Sequence, residues 1–292
     1  MKPAAFEYFA PTTTAEAVRL LGEHADDAKI LAGGQSLVPL MNMRLAKPAV
    51  LVDVNPVAEL DYVRVEDDYL AVGAITRQRA LERSPEVAER VPLIRETLQL
   101  LGHAQIRNRG TIGGNVAHAD PASELPATLV ALGGELKVAS AAGERIVAPE
   151  DFYLTFLTTT LDPAEMLVET RFRLPQGRHG GAFEEISRRH GDYALVGVGV
   201  QLELAADGTI ARAGIGLCGA GPTPIKATEA EALLQGQQPS EALFAESAVK
   251  ASEQAEPEAD IHASAEYRRD MVRVLTARAL RRALARAGGL HS

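Results

Sequence analysis

Two short stretches of this chain carry residue types that could hold an anion. One is Arg109-Gly110-Thr111-Ile112-Gly113-Gly114-Asn115; the other is Leu31-Ala32-Gly33-Gly34-Gln35-Ser36-Leu37. Paired glycines let the backbone turn without Cβ obstruction, so that several N–H groups can point at one phosphate. Gly33, Gly34, Gln35, Ser36, Gly113, Gly114 and Asn115 are candidate donors, with Arg107 or Arg109 as nearby cations unless those arginines are ordinary surface charge. The stretches are too far apart to form one local nest. They fit two walls of a cleft closing on a diphosphate, and the plainer reading is that each Gly-Gly is only a turn.

Between the second stretch and an apolar helix lies His118-Ala119-Asp120-Pro121-Ala122-Ser123-Glu124. Asp120 or Ser123 can cap that helix. Glu124 can instead accept hydrogen bonds from ribose or ribityl hydroxyls.

Other chemistry is excluded by what is missing. The single cysteine, Cys218, cannot form an intrachain disulfide, an iron–sulfur cluster or a cysteine zinc site, and reads as a small buried residue. Histidines 24, 103, 118, 179, 190, 262 and 291 show no metal-binding spacing, so no metal site is expected. There is no Gly-x-Ser-x-Gly elbow, Walker loop or Gly-x-Gly-x-x-Gly fingerprint, so any dinucleotide binds in a non-Rossmann manner and no catalytic side chain is assigned. A net charge of −9 without a basic patch argues against nucleic acid. No apolar run could span a bilayer and the start has no apolar leader, which predicts a cytoplasmic protein.

The elements that must position these loops follow from periodicity. Threonines 12–14 precede a helix over 14–24, with strands at Lys29–Ala32 and Val50–Val54. Pro39, Met41, Met43 and Leu45 read as a core-like segment. A hairpin turns at Glu66-Asp67-Asp68; helices follow at 76–82 and 92–101, the latter burying Leu93, Ile94, Thr97, Leu98 and Leu101. Strands at 135–139, 145–147 and 166–174 suggest an antiparallel subdomain. Pro175 to Gly181 is the strongest composition shift and the expected domain boundary. Beyond it, strands at 182–186, 196–204 and 211–217, with a turn at Asp207-Gly208, precede helices at about 226–235, 239–253 and 264–286. The last is expected to bury Tyr267, Met271, Val274 and Leu275 and to turn its arginines to solvent or a partner.

The two Gly-Gly motifs, with Leu37-Val38-Pro39-Leu40 after the first, resemble the FAD-binding medium subunit of the molybdenum hydroxylases, the family of the xanthine dehydrogenase and aerobic carbon monoxide dehydrogenase medium subunits. The resemblance runs from Phe6-Glu7-Tyr8 to Tyr267-Arg268-Arg269. It implies an α+β fold: a two-subdomain FAD-binding domain of the vanillyl-alcohol-oxidase/PCMH type over 1–176 (subdomains about 1–56 and 57–176), then a smaller domain, 177–292, of antiparallel sheet plus helices that covers the flavin. On that likeness FAD contacts Leu31, Ala32, Gly33, Gly34, Gln35, Ser36, Leu37, Leu101, Ile106, Gly110, Thr111, Gly114, Asn115, Ala117, His118, Ser123, Glu124, Met166, Leu167, Asp192 and Tyr193. The chain departs from it at Glu185, where relatives often carry lysine. The resemblance also implies a small partner with [2Fe-2S] clusters and a large one with the molybdenum–pterin cofactor, in a dimer of heterotrimers. This chain would then pass electrons from the clusters to an external acceptor. A free-standing flavin oxidase or reductase of the same fold, or a non-catalytic nucleotide-binding scaffold, are the alternatives.

Overall fold

A computed structural model describes residues 2–288; His291 and the last residues of the expected C-terminal domain lie outside them. The chain begins with a three-stranded parallel layer, order β1-β3-β2, formed by β1 (Glu7–Phe9), β2 (Ala28–Leu31) and β3 (Val50–Asp53). Helix α1 (Thr14–His24) covers it with Ala17, Val18, Leu20 and Leu21, and Thr13 accepts from the Glu16 N–H as its N-cap. A short helix, α2 (Leu37–Asn42), follows the first Gly-Gly. It buries Met41 but leaves Met43 and Leu45 exposed, so the expected core-like run is helical and largely at the surface.

The second unit is an antiparallel sheet, order β4-β5-β10-β6-β7, of β4 (Val63–Glu66), β5 (Tyr69–Gly73), β6 (Glu135–Ser140), β7 (Gly143–Val147) and β10 (Met166–Arg173). Asp67, at φ 50°, makes the expected turn between β4 and β5. Six helices lie between β5 and β6: α3 (Gln78–Arg83), α4 (Pro85–Arg90), α5 (Pro92–Leu100), α6 (Ala104–Arg109), α7 (Ile112–His118) and α8 (Glu124–Leu132). The short α4, α6 and α7 have too few turns to show a helical period, and periodicity misses them. After β7 come α9 (Pro149–Phe152) and a small hairpin, β8 (Tyr153–Thr155) with β9 (Thr158–Thr159).

The third unit is a four-stranded antiparallel sheet in sequential order, β11 (Arg178–Ser187), β12 (Ala194–Leu204), β13 (Ile210–Cys218) and β14 (Ile225–Lys226), backed by α10 (Thr228–Leu234), α11 (Glu241–Glu253) and α12 (Ala265–Ala287). Every residue of α8 is buried. Its backbone reaches this sheet because β13 offers glycines there: a Cβ on Gly214 or Gly216 would overlap the carbonyls of Ala131 or Ala127. The helix thus carries Glu124 into the seam between the second and third units.

Helix α12 corrects its expected orientation. Its buried face is Val272, Leu275, Ala279, Leu280, Ala283 and Ala287, whereas Tyr267 is exposed. Arg269, Arg273, Arg278 and Arg281 are exposed as expected, but three other arginines work internally. Arg268 donates to the Leu195 carbonyl and pairs with Asp260 at 2.8 Å. Arg282 and Arg286 both bind Glu96 of α5, and also Glu184 and the Gly181 carbonyl. One carboxylate thus ties the C-terminal helix to the middle unit, so Glu96→Ala should cost about 1–3 kcal/mol. It should also speed amide exchange in α5 and α12 together, as hydrogen-exchange mass spectrometry would show.

Candidate functional site

A cleft of about 720 Å³ opens between the parallel layer and the middle unit. The loop leaving β2 forms one wall. The N–H groups of Gly33, Gly34, Gln35 and Ser36 have no protein acceptor among the described residues, Gly34 sits at φ +72°, and the Gln35 amide closes onto the Gly33 carbonyl at 2.9 Å. Four consecutive donors without a protein acceptor lie beside a cavity, a backbone arrangement able to meet an anion. Asn55 fixes the loop by donating to the Ala32 carbonyl at 2.8 Å, and Arg77 bridges Asn55 to the Arg109 carbonyl on the opposite wall.

The second stretch lines the cleft by different means. It is not an open loop: from Ile112 it is the helix α7, capped by the Thr111 hydroxyl on the Gly114 N–H. The N–H of Ile112 goes to the Thr76 carbonyl, that of Gly113 to Ala74 and that of Asn115 to Thr111. These donors are spent inside the protein, so the expectation of a second phosphate nest here is not met. The glycines permit close approach instead. A Cβ on Gly113 would lie 2.5 Å from the Ala74 Cβ, and one on Gly33 would lie 2.6 Å from the Arg109 carbonyl oxygen and 2.8 Å from the Gly110 Cα. The two Gly-Gly pairs are linked because one wall rests directly on the other.

Neither candidate arginine adds its charge to the cleft lining. Arg107 is buried; its guanidinium binds Glu82 at 2.8 Å and the carbonyls of Leu101 and Gly102, so both the phosphate-facing and the surface readings give way to an internal anchor. Arg109 contributes its carbonyl to the Arg77 bridge, while its side chain is exposed and does not line the cavity. The lysine on the lining is Lys29 of β2, and Asp26 is also on it.

Of the residues implicated by sequence, Ala32, Gly33, Gly34, Gln35, Ser36, Leu37, Leu101, Ile106, Gly110, Thr111, Gly114, Asn115, Ala117, His118, Met166 and Leu167 all line this one cleft. Leu31 stands just behind it as the last residue of β2. Ser123, Glu124, Asp192 and Tyr193 do not line it. Ser123 and Asp120 do not cap α8: the Ser123 hydroxyl donates to Asn115 Oδ1 at 2.8 Å, and Asp120 accepts from the Ala122 N–H. Asp192 and Tyr193 lie on the β11–β12 loop, where Asp192 pairs with Arg188 at 2.9 Å and Tyr193 is 67% exposed. Gly191, at φ +78°, lets that loop rest on His103, next to the Leu101 edge of the cleft.

Sequence reasoning missed Lys29, Ile75, Gln78 and most of the stretch from Leu157 to Glu165, which line the cavity. The run Thr158-Thr159-Thr160-Leu161-Asp162-Pro163 has turn composition that marks a loop, but nothing in it marks a ligand wall. Gln78 is nearly fully buried and its Oε1 has no partner among the described residues.

A cradle of backbone donors on an elongated, mostly apolar cleft, between a small parallel layer and an antiparallel sheet, defines a nucleotide-cofactor site outside the Rossmann class. Residues 4–176 match the family model of the FAD binding domain in molybdopterin dehydrogenase, and residues 181–283 that of the CO dehydrogenase flavoprotein C-terminal domain. The chain belongs to this family of FAD-binding medium subunits of the molybdenum hydroxylases. It is 41% identical over 288 residues to the 6-hydroxypseudooxynicotine dehydrogenase complex subunit alpha of Paenarthrobacter nicotinovorans, covering 98% of this chain and 97% of that one. It is 39% identical to the carbon monoxide dehydrogenase medium chain of Afipia carboxidovorans, covering 98% and 99%. A solved carbon monoxide dehydrogenase chain from Hydrogenophaga pseudoflava superposes with a TM-score of 0.95 at 38% identity, over 98% of this chain and 99% of that one. The chain is therefore an FAD-binding oxidoreductase subunit. No helix among the described residues is long and apolar enough to cross a membrane.

Proposed function

We propose that this chain relays electrons within a molybdenum hydroxylase complex, from [2Fe-2S] clusters on a small partner subunit to an external acceptor, with FAD held in the cleft. The observation that carries this reading is the row of N–H groups from Gly33 to Ser36, without protein acceptors among the described residues, on a cleft of about 720 Å³. Full-length similarity to subunits of multi-subunit dehydrogenases supports it. Substrate oxidation then belongs to a large molybdenum–pterin subunit, and the assembly is a dimer of heterotrimers in the cytoplasm. The division into 1–176 and 177–292 is part of the same reading.

The chain's own residues bind, orient and shield. Gly33, Gly34, Gln35 and Ser36 would meet the diphosphate with dipoles rather than cations, and Lys29 would supply positive charge on the lining. The apolar walls, Leu101, Ile106, Met166 and Leu167, keep water from the cofactor, and the Asp192–Tyr193 loop caps the Leu101 edge. Bound FAD supplies the exchange between one- and two-electron carriers, which is why no nucleophile or acid–base set is needed here.

The test is a visible spectrum of the purified chain with and without added FAD, and of the complex isolated under native conditions. Oxidised-flavin bands in the chain, with added iron–sulfur absorption in the native material, are expected. Flavin without any iron-containing partner would favour a free-standing flavoenzyme. A chain that takes up no FAD, alone or in its complex, would return the Gly-Gly loops to simple turns in a scaffold.

A further inference from the structure

Arg77 stands at the start of α3 in the middle unit, and its backbone is fixed there. It forms a bridge with Thr111, and the next N–H, that of Gln78, donates to the Gly110 carbonyl at 2.9 Å. Its side chain leaves that unit. One guanidinium nitrogen donates to Asn55 Oδ1 at 2.6 Å, in the parallel layer, and the other to the Arg109 carbonyl at 2.5 Å. Arg109 is the last residue of α6, so no further turn takes its carbonyl and the guanidinium does so instead.

Asn55 is committed on its own side. Its amide donates to the Ala32 carbonyl at 2.8 Å and to Asp53, and Asp53 also accepts from the Tyr8 hydroxyl at 2.6 Å. These contacts join all three strands of the parallel layer, since Tyr8 is on β1, Asp53 ends β3 and Ala32 follows β2. Neither Arg77 nor Asn55 lines the cleft. The residues they hold do: Ala32 and Gly33 on one wall, Gly110 and Thr111 on the other. Where the walls meet, Gly33 rests on the Arg109 carbonyl and the Gly110 Cα with no room for a Cβ. That contact resists compression but not separation, because dispersion between a few backbone atoms is weak. Arg77 supplies the missing cohesion, with one prong of a planar fork on each wall.

We propose that Arg77 is a positioning residue that clamps the two walls of the cleft at the separation FAD needs, so that this chain's hold on its cofactor is set from behind the site, without contact between the guanidinium and the ligand. The proposal rests on the reading that FAD occupies this cleft. A gap fixed in advance spares the cofactor the cost of ordering the walls as it binds. When the clamp is removed the walls drift apart, and the donors from Gly33 to Ser36 no longer face the opposite wall at a fixed distance.

The first arm of the test reads FAD dissociation from the loaded chain by the recovery of flavin fluorescence. Arg77→Met keeps the stem and removes both donors; it should release FAD roughly ten- to a hundredfold faster than the wild type. Arg77→Lys, whose single ammonium cannot fork across two walls, should fall between them. Arg273→Ala removes an exposed arginine of α12 and should leave the rate unchanged, which separates the clamp from a loss of net charge. Asn55→Ala breaks the same link from the other end, so the Arg77→Met, Asn55→Ala double variant should release FAD little faster than the worse single one. Effects that multiply, or a wild-type rate in Arg77→Met, overturn the clamp. The second arm needs no FAD. With nitroxides on Asp27→Cys and Glu89→Cys, exposed positions on the two units, the electron-spin distance distribution of the apo-chain should widen and lengthen in Arg77→Met and in Asn55→Ala. Cys218 is buried and leaves the labelling specific. An unchanged distribution overturns the clamp, and a widened one with unchanged FAD release overturns its link to the cofactor. If the wild type takes up no FAD, the cofactor reading fails, whereas the distances still decide whether Arg77 holds the walls.

Discussion

Gly33→Val is expected to abolish FAD retention while leaving a folded protein. The new Cβ would start 2.6 Å from the Arg109 carbonyl oxygen and 2.8 Å from the Gly110 Cα, both backbone atoms that cannot swing aside. The loop after β2 must then retreat from the opposite wall by roughly an ångström, and overpacking of this kind costs about 1–3 kcal/mol of stability. The effect on binding is larger, because the four donors from Gly33 to Ser36 lose their common aim at once; a loss of about 3 kcal/mol corresponds to more than a hundredfold in the dissociation constant. Fluorescence titration with FAD reads the binding and thermal unfolding reads the fold. Gly22→Ala in α1 is the matched control: nothing lies within 4 Å of its Cβ, and alanine there should stabilise by about 0.5–1 kcal/mol without changing FAD affinity. Near-wild-type FAD binding by Gly33→Val would refute the contact between the two walls.

Arg107→Ala is expected to have the largest effect on stability. Its guanidinium holds the buried Glu82 carboxylate and closes the carbonyls of Leu101 and Gly102 where α5 ends, so removing it leaves Glu82 to Arg79 alone and orphans two acceptors together. Breaking a buried pair of this kind costs about 3–5 kcal/mol, to be read as a lowered urea midpoint. Arg107→Lys should recover less than half of that, because one ammonium cannot reproduce the fork that reaches Glu82 and both carbonyls. The pH dependence has a definite sign. Burial alone would raise the Glu82 carboxyl, but hydrogen bonds from Arg79 and Arg107 outweigh it and hold the group below its ordinary range. Its contribution is therefore present above the unfolded pKa and lost as pH falls through the folded one, and the gap between wild type and variant should narrow in acid. A variant with the wild-type urea midpoint would mean that Arg107 is the surface residue it first resembles.

Much of this architecture is local and could be read along the chain. The period of α1 and α5, the turn at Asp67 and the long alternating strands of the third sheet each depend on neighbours a few residues away, which periodicity and turn chemistry report directly. The first Gly-Gly was legible for the same reason, since a nest is made by consecutive residues. The second was only half legible. Its glycines signal an unusual backbone, but whether they free donors or admit a neighbouring wall depends on Ala74 and Thr76, which take the N–H groups from another part of the chain.

The charged side chains were the least legible. Arg107, Arg268, Arg282 and Arg286 look alike in sequence, and their partners, Glu82, Asp260, Glu96 and Glu184, are distant in sequence or hidden by the fold. The missing motifs excluded a Rossmann site and the two Gly-Gly stretches carried the resemblance to a family, because each is a property of residue type and short spacing. Which donors stay free and which arginines are spent inside were decided only when the sheets and helices packed together, because burial and long-range pairing arise from the chain's return on itself.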